Sequence, residues 1–84
     1  MHESGLIQSL LRKALAEAER RGARLRAIEV RLGVLAGGSP DHLREHFEHE
    51  LEALSLPAIE LHIESAPDYP GGVEITGLVL EPTP

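Results

Sequence analysis

Leu25-Arg26-Ala27-Ile28-Glu29-Val30-Arg31-Leu32 is the stretch from which the rest of the chain is read. Ile28, Val30 and Leu32 fall on one side of an extended backbone, and Glu29 and Arg31 fall on the other. That alternation is the signature of a half-buried strand, apolar toward a core and charged toward water. What lies on either side of it has helical periodicity, so the apolar side of the strand has helices to cover it.

Toward the N-terminus, Leu6, Ile7, Leu10, Leu11, Ala14, Leu15 and Ala18 recur at three- and four-residue spacing. They predict an amphipathic helix from Ser4 or Gly5 to Arg21. Arg20 and Arg21 suit the negative end of its dipole, and Gly22 offers a left-handed C-terminal cap. Toward the C-terminus, Gly33, Gly37 and Gly38 mark a turn-rich connection. Ser39-Pro40-Asp41 then reads as N-cap, first helical proline and first-turn acid. Leu43, Phe47, Leu51 and Leu54 form the buried face of this second helix, which Pro57 bounds.

Ile59, Leu61 and Ile63 alternate with Glu60, His62 and Glu64, which predicts a second strand with His62 facing water. Pro67-Asp68-Tyr69-Pro70-Gly71-Gly72 is a tight connection. Val73, Ile75, Leu78 and Leu80 make a third strand, Gly77 within it signals a bulge, and Glu81 to Pro84 is expected to fray. The order α-β-α-β-β predicts an α+β, two-layer sandwich, with two helices on one face of a three-stranded sheet and the other face polar. No strand order or oligomeric state follows, although a sheet of this size leaves two edges open.

Composition narrows the function classes. The chain has 84 residues, enough for a single small domain. It is 42% hydrophobic and only 2% aromatic, so aliphatic side chains must carry the core. A net charge of −6 disfavours a nucleic-acid partner. There is no cysteine, hence no disulfide, redox pair or thiolate zinc site. No apolar run reaches membrane-spanning length and the N-terminus lacks a signal-peptide pattern, so a cytoplasmic protein is expected. No nucleophile–base pair, phosphate loop or acid–base set suggests an enzyme.

Two sets of residues suggest metal chemistry. At Met1-His2-Glu3, the α-amino group, the His2 amide and the His2 imidazole can close two fused chelate rings around one ion. Three nitrogens with a deprotonated amide suit a square-planar ion, Ni(II) or Cu(II), and Glu3 can add an anionic ligand. His2 is also expected to block removal of Met1. A cation placed where a helix begins meets the positive end of the dipole, and these anionic donors offset that penalty. On raw affinity Cu(II) outranks Ni(II). The second set is His42, His46 and His49, which at about 100° per residue lie within about 60° of one another beside the apolar face of the second helix. They read either as a weak secondary metal site or as part of a solvated flank shared with Glu45, Glu48, Glu50 and Glu52.

Met1-His2-Glu3 opening an amphipathic helix with Gln8-Ser9 inside it resembles the start of the HypA family of nickel-insertion proteins. Leu25, Ile28, Val30, Leu32-Gly33, Leu35 and Gly37 fall on that family's strand and turn, and Pro40, Leu43 and Phe47 are similar to its second helix. Glu60 to Glu64 with Pro67 resembles its second strand, and Val73, Ile75, Leu78, Leu80 and Glu81 its last. The resemblance implies a single nickel-binding domain over residues 1–84 and a metallochaperone that delivers Ni(II) during hydrogenase maturation. It also implies a HypB-type GTPase and a hydrogenase large subunit as partners. Family members insert a zinc module with two CxxC pairs between the second and third strands; here about residues 67–72 span that gap, so no zinc is expected. Val34 stands where the family often has an acid, and Ser4-Gly5 is less apolar than usual. The alternative is a small interaction module that kept the scaffold without a metal role.

Overall fold

The alternating stretch forms the middle of the sheet in the computed structural model, which describes residues 3–34 and 39–83, with only the backbone of residues 3 and 4. The helix α1 (Glu3–Arg20) precedes the strand β1 (Ala23–Leu32); the helix α2 (Pro40–Ala53) and the strands β2 (Glu60–Ser65) and β3 (Val73–Pro82) follow. The strand order is β2-β1-β3, with β2 parallel to β1 and β3 antiparallel to it. This is the expected α+β sandwich, and the order of its strands is the part that alternation alone leaves open. The glycines Gly37 and Gly38 lie outside the described residues.

Apolar residues from both layers meet in one core. Ile7, Leu11, Ala14 and Ala18 of α1 and Leu43, Phe47 and Leu51 of α2 pack on Leu25, Ile28, Val30, Leu32 and Leu61 of the sheet. Burying each large aliphatic or aromatic side chain contributes about 1.5–3 kcal/mol, which is how a nearly aromatic-free chain closes a core. Ile28 and Val30 pair with Leu61 and Ile63 on one side and with Leu78 and Ile75 on the other.

The β1–β3 register shifts twice, between Leu25 and Ala27 and again between Glu29 and Val30. The first adds a residue to β1 and the second adds one to β3, so the offsets cancel and Leu25 and Leu80 still pair like Val30 and Ile75. Gly77 pairs with Glu29 at the second shift, and a Cβ there would collide with the Glu29 carboxylate. The bulge expected at Gly77 is therefore present, and the glycine is what leaves room for Glu29.

Helix ends follow local chemistry. Gly22 takes φ +63° and its amide donates to the Glu19 carbonyl at 3.0 Å. Ser39 caps α2, its hydroxyl accepting from the His42 amide at 3.2 Å. The far end of α2 closes with Ser55 at φ +55° and Leu56 N donating to Leu51 O at 2.9 Å, a Schellman turn without its usual glycine.

Three expectations are corrected. Leu54 is not on the buried face of α2: it is 48% exposed and caps the helix, which ends at Ala53. Glu81 and Pro82 are not frayed but belong to β3, opposite Arg24 and Ala23, with Glu81 bonded to Arg26. Thr83 adds a 2.7 Å hydrogen bond to the Gly22 carbonyl. Glu50 is not on the solvated flank: it is 9% exposed and accepts from Gln8 Nε2 at 3.2 Å, linking the two helices. A carboxylate is tolerated there because that donor partly offsets its desolvation.

Candidate metal centre

Connectivity brings the beginnings of both helices to one end of the molecule. Only Arg21 and Gly22 separate α1 from β1, so α1 runs antiparallel to β1. Because β1 and β2 are parallel neighbours, α2 must run back between them, antiparallel to both. Both helices thus start beside the C-terminal end of β1, where the β2–β3 connection also crosses.

Met1 and His2 lie outside the described residues, and of Glu3 the backbone is described, as the first residue of α1. The chelate inferred from Met1, His2 and Glu3 is thus located only by the helix it precedes. The second set is divided by the structure. The rings of His42 and His46 lie with centroids 4.5 Å apart and planes at 67°. Among the described residues no ring or hydrogen-bond contact joins His49 to them. His62 stands apart on the polar sheet face, 3.4 Å from Glu60. Among the described residues no three His, Cys, Asp or Glu side chains converge as a ready metal cage.

The β2–β3 connection is fastened to the end of β1. Ala66 N donates to Leu32 O at 2.9 Å, Val34 N to Tyr69 O at 3.1 Å and Gly33 N to Gly72 O at 2.8 Å. Gly33 is required by close approach, since a Cβ there would strike the Gly71 carbonyl and the Tyr69 ring. Over this crossing Arg31 stacks 4.2 Å from the Tyr69 ring centroid and bonds Glu74 at 3.0 Å, while the Tyr69 hydroxyl donates to Glu74. The Glu74 carboxyl is held below its ordinary range by the Tyr69 hydrogen bond and then by Arg31. The same bond raises the Tyr69 phenol, with burial and the Glu74 charge adding to it.

Neither this cluster nor the Gln8–Glu50 bond was anticipated. Arg31 and Glu74 each read correctly as polar-face residues, but only the pairing Arg31↔Glu74 makes them neighbours. The i, i+4, i+8 run His42, His46, Glu50 was visible as one helix stripe. That it turns toward α1 was not, because Glu50 itself looks polar.

Comparison with known proteins adds the family. The model of the HypA family, described as hydrogenase/urease nickel incorporation, metallochaperone, matches residues 1–69. The match runs from residue 1 through α1, β1, α2 and β2 and stops at Tyr69 within the connection, so β3 lies beyond it. No curated protein matches the chain. With most of its length covered in one continuous match, the chain belongs to the HypA family of hydrogenase/urease nickel-incorporation metallochaperones.

Proposed function

We propose that this chain is a single-domain nickel metallochaperone that takes Ni(II) through Met1, His2 and Glu3 and passes it on in the cytoplasm during maturation of a nickel enzyme such as a hydrogenase. The observation that carries the reading is the family match, which begins at the triplet and continues through the fold that presents it. The donor chemistry supports it: amine, amide and imidazole nitrogens in sequence favour a square-planar ion. Partners follow from the family: a HypB-type GTPase and a hydrogenase large subunit. The short connection at 66–72 stands in place of the family's zinc module, and with no cysteine in the sequence no thiolate can hold zinc there.

The test isolates the chelate. Protein with a native Met1 terminus should bind one Ni(II) with the visible band of a square-planar complex. Binding should strengthen as pH rises through the α-amino pKa, about 7.7–8.0, because that amine ligates only when deprotonated. His2→Ala and acetylation of the Met1 amine should each abolish the band. Glu3→Ala should weaken binding less, since water can take the fourth position. A band unchanged by the acetylation would return the triplet to chance and leave the chain a scaffold module without a metal role, the reading that the missing cysteines favour.

A further inference from the structure

We propose that His42 and His46 form a second divalent-cation site on α2, separate from the amino-terminal chelate and excluding His49. Three observations support it. The first is distance. With metal–nitrogen bonds of about 2.0–2.1 Å, two imidazoles bound at adjacent corners of one ion hold their ring centroids roughly 4.6 Å apart. The rings of His42 and His46 are already at 4.5 Å. The two rings are therefore already at a spacing that one ion can bridge.

The second is the frame. His42 lies in the first turn of α2, which is fixed by the Ser39 cap and by Leu43 N donating to Ser39 O at 3.1 Å. His46 follows one turn later on the same stripe and is half-buried, and Glu50 follows one turn after that. The Gln8–Glu50 hydrogen bond clamps this stripe against α1. Both helices run in the same direction, so one turn back from that clamp His46 on α2 is level with position 4 on α1. The pair therefore sits beside the first turn of α1.

The third is charge. The net charge of −6 favours cations near the chain, and Asp41, Glu45, Glu48 and Glu52 lie on the same helix, Asp41 in an ion pair with Arg44. Two imidazoles are the donors that the pair itself supplies, so binding is weak and exchangeable. Imidazole pairs take Ni(II), Cu(II) or Zn(II). If the amino-terminal reading above is right, a labile pair at the same end of the fold is placed to receive or release that ion.

The experiment disables the chelate first. Protein carrying His2→Ala is titrated with nickel chloride by calorimetry, with far-UV spectra confirming the fold of every variant. One weak equivalent should bind. His42→Ala and His46→Ala should each weaken it at least tenfold, while His49→Ala and His62→Ala should leave it within twofold. No binding by His2→Ala protein, an unchanged affinity when either His42→Ala or His46→Ala is added, or an equal loss in His49→Ala would overturn the proposal. The readouts are independent of the amino-terminal site. A square-planar band in native protein without binding in His2→Ala protein would sink this inference alone, and binding in His2→Ala protein without a band in native protein would sink only the chelate.

Discussion

At the scale of single residues, Tyr69 does the most to hold the β2–β3 connection closed. Its hydroxyl donates to Glu74 and its ring lies under Arg31, so one side chain ties the crossing to both β1 and β3. The pH dependence follows from the directions of the shifts. Glu74 is depressed in the folded state, so its contribution is complete above the ordinary glutamate value of about 4.3 and is lost as pH falls through the lower folded value. Tyr69 is raised, so its contribution is complete below about 10 and is lost as pH rises through the higher folded value. Tyr69→Phe should therefore lower the urea midpoint by a constant amount between these limits, and by less once Glu74 is protonated. A midpoint difference that persists undiminished in strong acid would mean that the hydroxyl contributes by a route other than its bond to the Glu74 carboxylate.

At the scale of elements, α2 is held at its two ends by different means. Its start follows the rules for caps, with Ser39, Pro40 and Asp41 in their favoured places. Its end places Ser55 at φ +55°, where a side chain is strained and glycine is at ease. Ser55→Gly should stabilise the protein by about 0.5–1 kcal/mol, and Ser39→Ala should cost about 1 kcal/mol. Both are read from thermal or urea melts. The Ser39 change also loosens the first turn that carries His42, whereas Ser55→Gly lies at the opposite end of the helix. If Ser55→Gly proves destabilising, a contact of the Ser55 hydroxyl outweighs the backbone strain.

For the whole molecule, the question is whether folding needs the cargo. The core closes with side chains from both helices and all three strands, and no group in it awaits a ligand. Apo protein in chelator should therefore melt cooperatively, which a far-UV melt would show. Phe47→Ala, by contrast, removes the largest fully buried side chain and should cost about 3–5 kcal/mol. A domain this small has a total stability near the low end of about 5–15 kcal/mol, so that single change is enough to unfold much of it. A featureless far-UV spectrum in chelator would show that metal binding contributes folding energy after all.

What the sequence determined by itself is everything governed by near neighbours along the chain. The stripe of α1, the Ser39 cap and the alternation of β1 are set by residues a few positions apart, and each stands where it was expected. The chelate proposed at Met1-His2-Glu3 is likewise a reading of consecutive donor atoms, and Met1 and His2 lie outside the described residues. Tertiary structure alone decided the order β2-β1-β3, the inclusion of Glu81 and Pro82 in β3, and the burial of Glu50 against Gln8. It also separated His49 from His42 and His46, which a helical projection places together. These outcomes depend on which surfaces meet, and a pattern of polar and apolar positions names a face without naming its partner. A glutamate reads as solvated until a second helix supplies its donor. An arginine, a tyrosine and a glutamate on separate segments become one cluster only when register brings them side by side.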